Sequence, residues 1–466
     1  MIIGLAVRSI KIHNKKILWR VSFVLMSFLL CGEVYATTMI EIYSAALERD
    51  PAYKALVLRQ TALKEGLPQA RAALLPSITL SASETIIDRE LSAPGLPFVT
   101  QGSADFGSRS YGAQLRQVVF NYEVFQTLSR AKLEFQISEI ETLKLKQDLI
   151  LRVAQQYFDT LEAQDNAELA GANLKALKAQ YEQLKILFDE GLAAKADYEQ
   201  AKARWNVATV NNIVAINSAN DLRRALESSA GMQIDRLETL NDDFDIHDFG
   251  DALYEEWSDR VDQGNMDILI KDLELSIAKK EVSIQRAGGY PTINILATFD
   301  DQLDDGSLAG AGFNDVRSSF GVELEIPLFS GGLFLSRVRA AKRDLEATNL
   351  EHKDMSQQIK RQLRTLLDSL KSQKAILEAY QSAVDSSQVT LKAREEGFKA
   401  GLDTNLNVLD AQRDLFQTSV NANRAQYDAL ILNLELERLA GALDLEDLEK
   451  TSKLFSDVQE EINVQD

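Results

Sequence analysis

The chain has 466 residues, 45% of them hydrophobic, and a formal net charge of −19, so it is long enough for roughly two or three ordinary domains or one extended one. The acidic balance argues against nucleic-acid binding, because too little positive charge remains to neutralise phosphates. Cys31 is the only cysteine, which excludes a disulfide framework within the chain. Seven prolines in the whole sequence suit long uninterrupted helices.

The first 36 residues have the pattern of a secretory signal peptide. Five basic residues precede an apolar run from Val21 to Leu30, and Val34 and Ala36 fit the −3 and −1 positions of a cleavage site. A retained signal anchor is the alternative, but a run of about ten apolar residues is too short to span a bilayer. Lipidation of Cys31 is disfavoured because Leu30, not a small residue, precedes it. Cleavage near Ala36 removes five basic residues and one acidic residue, which lowers the net charge from −19 to −23 and leaves no cysteine.

After Ala36, the predicted helices and strands occur in the same order in both halves of the chain. Apolar residues recur at spacings of three and four in the helical stretches, and polar and apolar residues alternate in the strands. In the first half these patterns predict a helix at 37–67 closed by Pro68 and Pro76, strands at 77–87 and 110–120, a long helix at 122–187, a turn at 188–196 and a helix at 197–229. The segment 88–109 is rich in glycine and proline, which predicts a loop.

The second half begins after a predicted acidic linker at 231–250, which fails as a calcium loop because it lacks the required glycine and final glutamate. The patterns then predict a helix from 251 to Ala287, strands at 292–302 and 319–328, a long helix at 333–399, a turn at 400–405 and a helix at 406–443. The acidic tail at 444–466 is predicted to be flexible. Each long helix covers about 65 residues and therefore about 100 Å. The chain is thus a duplication of 37–230 in 251–443, with a period too long for a solenoid.

Each half of the chain contains one Gly-Leu turn, which joins its two long helical stretches. The repeated residues are Phe188, Gly191 and Leu192 in the first copy and Phe398, Gly401 and Leu402 in the second, each 210 positions later. A long amphipathic stretch reaches the phenylalanine, the Gly-Leu pair interrupts it, and a second helical stretch follows. The pattern predicts a helix–turn–helix tip made twice, in which glycine supplies a positive φ.

The four strands have the length and alternation of membrane-spanning strands, which need about ten residues. Glu323 and Glu325 occupy the polar face of the last strand, as side chains on the lumen side of a barrel do. Four strands cannot close a barrel, and an open edge is not tolerated in lipid. Two copies would give eight strands with a filled interior, and three would give twelve with room for an aqueous channel. The alternative is two soluble hairpins on a helical bundle.

Over residues 40–443 the chain resembles the TolC-type outer-membrane efflux and type I secretion channels. The matching motifs are the two Gly-Leu tips, Leu75-Pro76, Tyr290-Pro291, the run from Ile326 to Gly332, and the run from Val408 to Gln412. The resemblance implies a mainly α fold with a β-barrel portion, in which long antiparallel helical hairpins form a trimeric α-barrel tunnel. It also implies that four strands per chain contribute to a shared 12-stranded transmembrane β-barrel.

The resemblance also implies partners and a gate. A homotrimer would sit in the outer-membrane lipid and extend into the periplasm, where Gly191, Leu192, Gly401 and Leu402 would contact a periplasmic adaptor. The adaptor would connect the channel to an inner-membrane transporter of the ABC, RND or MFS class. The Gram-negative outer membrane, with a periplasmic extension, is therefore the expected location.

Channels of this family close their tunnel with acidic residues just after the tips. Asp410 and Asp197 match such aspartates, Asn407 stands where another aspartate is common, and Asp403 stands where a basic residue is common. A ring of three Asp410 side chains would favour cations and could bind a multivalent one. The alternative is that Asp197 and Asp410 occupy first helical turns, where the helix dipole favours negative charge.

The sequence carries no motif of a catalytic, phosphate-binding or metal-binding site, so we expect neither an enzyme nor a cofactor. Only His247 and His352 remain after the signal peptide. The favoured function is a passive exit duct of a tripartite efflux pump or a type I secretion system. A periplasmic or surface coiled-coil scaffold or adhesin without a pore is the alternative. The run from Asn407 to Leu415 resembles type I secretion members, but the cargo, small molecules or a polypeptide, stays open.

Overall fold

The computed structural model describes residues 36–92, 102–241 and 253–456. Most of these residues are helical, and four long strands form one antiparallel sheet. The predicted signal peptide up to residue 35 lies outside the described residues, as do parts of the predicted loop, linker and tail. In chain order the elements are α1 (Met39–Arg49), α2 (Pro51–Lys64), α3 (Gly66–Ala72), β1 (Ser77–Leu91), β2 (Gly102–Phe120), α4 (Tyr122–Asp189), α5 (Lys195–Ala230), β3 (Thr239–Leu240), α6 (Tyr254–Gly264), α7 (Met266–Ala287), β4 (Thr292–Asp304), β5 (Phe313–Glu325), α8 (Leu333–Lys399), α9 (Asn405–Leu439), α10 (Leu445–Ser452) and β6 (Phe455–Ser456).

Two long antiparallel hairpins dominate the fold. Helices α4 and α5 form the first hairpin, α8 and α9 form the second, and α7 packs against both α4 and α8. With 68 and 67 residues, α4 and α8 each extend about 100 Å. This length places the sheet, at their amino-terminal ends, far from the Gly-Leu tips at their carboxyl-terminal ends. Among the described residues, no helix combines the length and hydropathy needed to cross a membrane.

The first helical segment is divided, contrary to the single helix predicted at 37–67. Helix α1 ends at Arg49, because Asp50 leaves helical geometry and its side chain accepts the backbone N–H of Tyr53 at 2.8 Å to begin α2. Pro68 does not close a helix but lies in the first turn of α3. A proline is tolerated there since the N–H groups of a first turn have no partner within the helix.

The sheet has the strand order β1-β2-β4-β5 and antiparallel pairing throughout, so β1 and β5 are free edges. The strands are longer than predicted at the end remote from the helices. Residues 88–91 and 102–109 of the predicted loop are strand, paired for example as Asp88 with Asp105; residues 93–101 lie outside the described residues. Strand β5 begins at Phe313 and ends at Glu325, two residues before Pro327, which has no N–H for a ladder.

The main hydrophobic core lies midway along α4. Tyr157, Phe158 and Leu161 are almost fully buried there, against residues of α1, the ends of α5 and α9, and the last described segment of the chain. A second cluster joins α6, the start of α7, the middle of α8 and the end of α9. Apolar packing around the middle of the hairpins therefore holds the two halves of the chain together.

The prediction of a flexible tail at 444–466 is wrong for the described part, 444–456. Asp444 forms a capping box with Asp447 at the start of α10, Leu448 is fully buried, and the ring of Phe455 lies 5.7 Å from that of Phe158. Strand β6 pairs with β3, which belongs to the predicted acidic linker, so the linker is also ordered up to Asn241. Residues 242–252 and 457–466 lie outside the described residues.

Candidate functional site

Both tips have the same backbone geometry. Gly191 has φ 74° and Gly401 has φ 72°, in the left-handed region that glycine occupies without strain. The N–H of Leu192 donates to the carbonyl of Leu187 at 2.7 Å, and the N–H of Leu402 donates to that of Gly397 at 2.8 Å. A hydrogen bond spanning six residues past a left-handed glycine is the Schellman ending of a helix. The repeated Gly-Leu pair therefore builds two matching turns.

The predicted contact residues lie on the outer surface of these turns. The side chains of Leu192 and Leu402 are 72% and 86% exposed, and a Cβ added at Gly191 or Gly401 would meet nothing within 4 Å. Each tip thus presents an apolar side chain to its surroundings, on a turn whose shape is fixed by its own backbone hydrogen bonds.

The first tip is stiffened by four aromatic side chains, of which only Phe188 was part of the repeated tip pattern. The ring of Phe188 stacks on Tyr198 at 5.1 Å, Tyr198 contacts Tyr181 at 5.8 Å, and Tyr181 stacks on Trp205 at 4.9 Å. These four rings alternate between α4 and α5. Such aromatic pairs stabilise beyond the area they bury, so they hold the first hairpin closed near its tip.

The second tip is held by a carboxylate instead. Asp403 accepts hydrogen bonds from the Arg394 guanidinium at 2.8 Å, the Asn407 side-chain amide at 2.6 Å and the Thr404 N–H at 2.8 Å. The hydrogen bond from Arg394, followed by that from Asn407, lowers the pKa of Asp403 to about 2. Gly397 leaves room for this carboxylate, since a Cβ there would lie 3.2 Å from the Cβ of Asp403.

Asp410, the predicted gate residue, forms an ion pair between the hairpins. The Arg204 guanidinium on α5 donates to its Oδ1 at 3.1 Å, and Arg413 on α9 lies 3.6 Å from the same oxygen. The side chains of Arg204 and Asp410 are both partly buried. Sequence reasoning found Asp410 but missed Arg204, because pairing between two distant helices depends on a register that no local pattern gives.

Packing around the Arg204–Asp410 pair fixes α9 against the first hairpin. Leu409 is buried in a cluster with Leu177 of α4 and Ala208 of α5. One turn nearer the tip, the side-chain amide of Gln180 donates to Oδ1 of the buried Asn405 at 2.7 Å. The first two turns of α9 therefore contact both helices of the first hairpin.

The other predicted aperture residues are arranged differently. Asn407 hydrogen-bonds to Asp403 within its own tip. Asp197 lies in the first turn of α5, whose N-cap Ala194 contributes no side-chain hydrogen bond, so its carboxylate stands where the helix dipole favours it. The structure thus places Asp403 and Asn407 together, Asp410 with Arg204, and Asp197 on the opposite hairpin.

Glu323 and Glu325 lie at the end of β5 that adjoins the helices, opposite Asn294 and Thr292 of β4. Their face of the sheet continues with polar residues, including Ser319 of β5. On the other face the exposed side chains nearer the helices are mostly apolar, among them Ile78, Leu80, Phe299, Phe320, Val322 and Leu324. Further from the helices this face also carries the exposed Glu84–Arg109 ion pair. One polar and one apolar face is the pattern of a strand between a water-filled lumen and lipid. No group of three or more potential ligands in the described residues is placed to hold a metal ion.

The sequence profile of the family described as outer membrane efflux protein matches residues 42–232 and 257–442. The chain belongs to the outer membrane efflux protein family. It is 28% identical over 427 residues to the outer membrane protein TolC of Vibrio cholerae, covering 90% of this chain and 94% of that protein. It is 27% identical over 429 residues to the alkaline protease secretion protein AprF of Pseudomonas aeruginosa, covering 92% and 89%.

The fold is also that of solved outer membrane proteins. The crystal structure of the outer membrane protein VceC from Vibrio cholerae matches with a TM-score of 0.72 and 19% identity, over 86% of this chain and 96% of that one. The resemblance to TolC-type channels and the mainly helical fold class with its β-barrel portion are therefore confirmed. Outer-membrane efflux and secretion channels, not enzymes, are the proteins this chain is similar to.

Proposed function

We propose that three copies of this chain form an exit duct that leads from the periplasm through the outer membrane of a Gram-negative cell. The observation that carries the proposal is the four-stranded sheet, which has two free edges and one exposed apolar face. Such a sheet is unstable in lipid unless other strands complete it. Three copies supply twelve strands, a number that leaves room for a channel.

The helical region supports the same assembly. Val207, Val210 and Val214 of α5 recur at spacings of three and four, which places them on one helix face, and all three side chains are exposed in the single chain. An apolar stripe of this kind is buried against another helix in stable assemblies. In the proposed trimer, neighbouring copies cover it, and the six hairpins enclose a tunnel about 100 Å long.

In the proposed duct, the tips form the periplasmic entrance. Asp197 lies in the first turn of α5, and Asn407 and Asp410 lie in the first two turns of α9. These three residues line or support the closed aperture. Gly191, Leu192, Gly401 and Leu402 contact a periplasmic adaptor protein, which connects the duct to an inner-membrane transporter. Transport is passive, and the duct itself has no enzymatic activity and needs no cofactor.

The cargo is proposed from the relatives. AprF is named for the secretion of an alkaline protease, and PrtF of Dickeya chrysanthemi is named as a proteases secretion protein. The family as a whole is described by efflux. We therefore assign the chain to type I protein secretion first and to the efflux of small molecules second.

The central test is the assembly and conductance of the purified full chain. An SDS-resistant trimer on an unboiled gel, together with stable single-channel conductance in a planar bilayer, is the expected result. A monomer without conductance would instead support a periplasmic scaffold and overturn the duct.

The partner proposal has its own test. If the signal peptide is removed near Ala36, the chain contains no cysteine, so Leu402→Cys introduces a single thiol at the second tip. A photoactivatable maleimide on this thiol should capture a periplasmic adaptor in cells. Leu350→Cys is the matched control, since Leu350 is an exposed leucine of α8 about 75 Å from the tip. Equal capture from both positions would count against adaptor docking at the tips.

A further inference from the structure

The charge at the proposed aperture differs from the one that Asp410 alone would give. Arg204 and Arg413 both lie within 4 Å of the Asp410 carboxylate, and Arg413 also binds Asp414 at 2.8 Å. These four residues carry two positive and two negative charges. The immediate surroundings of Asp410 are therefore electrically balanced.

The balance comes from a difference between the two halves of the chain. At an offset of 210 positions, Arg204 of α5 corresponds to Asp414 of α9, and Asp410 of α9 corresponds to Gln200 of α5. The face of α5 is thus basic where the equivalent face of α9 is acidic. Two unlike faces of this kind attract each other when the hairpins meet, whereas two copies of the α9 face would repel.

Local packing keeps the pair together. Leu409, the neighbour of Asp410, is 1% exposed, and Ala208, one turn after Arg204, is 3% exposed in the same cluster. The side chains of Arg204 and Asp410 are 34% and 38% exposed, so water screens the pair less than it would on an open surface. The ion pair therefore persists as long as α9 remains packed on α5.

We propose that Arg204 determines the ionic selectivity of the closed entrance: it neutralises Asp410, so that the entrance neither selects cations nor binds a divalent cation. The proposal rests on the proposed function, because it takes the tips as the entrance of a trimeric duct. In the trimer, Arg204 and Asp410 alternate around the opening, and a ring of three unpaired carboxylates does not form. Anionic segments of a cargo then meet no net repulsion at this position.

The experiment is single-channel recording of purified trimers, in a KCl gradient and with Mg²⁺ added on the periplasmic side. Arg204→Gln should shift the reversal potential towards cation preference and make the channel sensitive to Mg²⁺ block, since three carboxylates lose their partners. Asp410→Asn should shift the reversal potential in the opposite direction. Arg204→Lys should restore the wild-type values, because the charge is retained.

Arg413→Gln is the matched control, since Arg413 approaches Asp410 from the same helix, at the longer distance of 3.6 Å, and also binds Asp414. Arg413→Gln should shift the reversal potential less than Arg204→Gln does. Charges elsewhere in the duct are common to all variants and cancel in the comparison. Mg²⁺ block of the wild type as strong as that of Arg204→Gln, or an Arg204→Gln trimer identical to the wild type, would overturn the inference and leave the duct intact. A wild type without trimers or conductance would overturn the proposed function itself.

Discussion

The carboxylate of Asp403 and the guanidinium of Arg394 lie 2.8 Å apart across the carboxyl-terminal end of α8. The pair closes the second tip from within a single hairpin. Arg394, Thr404 and Asn407, which donate hydrogen bonds to Asp403, all belong to the same hairpin, so this carboxylate stabilises its own tip. The first tip achieves the same closure with stacked rings.

Protonation of Asp403 should destabilise the second tip. Since hydrogen bonds from Arg394 and Asn407 lower the pKa of this carboxyl to about 2, the stabilisation is fully present above about pH 4, the usual pKa of aspartate, and is lost as the pH falls through about 2. The difference in melting temperature between the wild type and Asp403→Asn should be constant above pH 5 or so and vanish near pH 2. The same substitution at Asp385, an exposed residue of α8, should give no such pH-dependent difference.

Replacing Gly401 by alanine should strain the second turn. The residue has φ 72°, and a non-glycine residue there costs about 1–2 kcal/mol, although the new Cβ would meet no atom. Gly66→Ala is the control, since its Cβ also has free space and its φ is not positive. It should be neutral or raise the free energy of unfolding by about 0.4–1 kcal/mol. Denaturant unfolding of both variants measures the change in the free energy of unfolding. Equal changes in the two variants would contradict the prediction of strain at Gly401.

Asp410→Ala should loosen the entrance, because it removes the acceptor that joins α9 to Arg204 of α5. Single-channel conductance, or leakage of an antibiotic into cells that carry the variant, should rise. Asp414→Ala removes the same charge one turn further along α9 but breaks only the contact with Arg413, so conductance should change little. Unchanged conductance of intact Asp410→Ala trimers would count against a role of this pair in closure.

The last described segment should be essential for stability despite its acidic composition. Phe455 is 6% exposed and contacts the rings of Tyr157 and Phe158. Phe455→Ala should therefore lower the free energy of unfolding by about 3–5 kcal/mol. Lys453→Ala, in the same segment, should be nearly neutral. Thermal melting of the two variants tests this, and similar melting temperatures would restore the prediction of a flexible tail.

The long helices and the tips could be predicted because their signals are local. Gly191 and Gly401 end a continuous helical pattern, and the backbone then has a single low-strain conformation. The added length of the strands could not be predicted, since glycine and aspartate favour loops locally and are held extended here by pairing across the sheet. Helix α10 could have been predicted from its sequence, because Asp444 and Asp447 form a capping box and a buried leucine follows them. The acidic composition of the segment led instead to the prediction of a flexible tail.

Arg204 shows which part of the candidate site could not be predicted from the sequence. Its partner is 206 positions away, and the contact depends on how far α9 slides along α5. That register is set by the packing of Leu409 against Leu177 and Ala208, two small contacts among many possible ones. Family patterns drew attention to Asp410, Asn407 and Asp197, and only the assembled helices reveal the cation beside Asp410.

In the proposed duct, the two unpaired edges of the sheet, β1 and β5, determine the order of events in biogenesis. A chain that reached the membrane by itself would expose a row of unsatisfied N–H and C=O groups to hydrocarbon, at a cost of several kcal/mol for each group. Association must therefore precede or accompany insertion. A chain with a defective edge strand would consequently inactivate the sound chains it joins, so such mutations should be dominant over the wild-type copy.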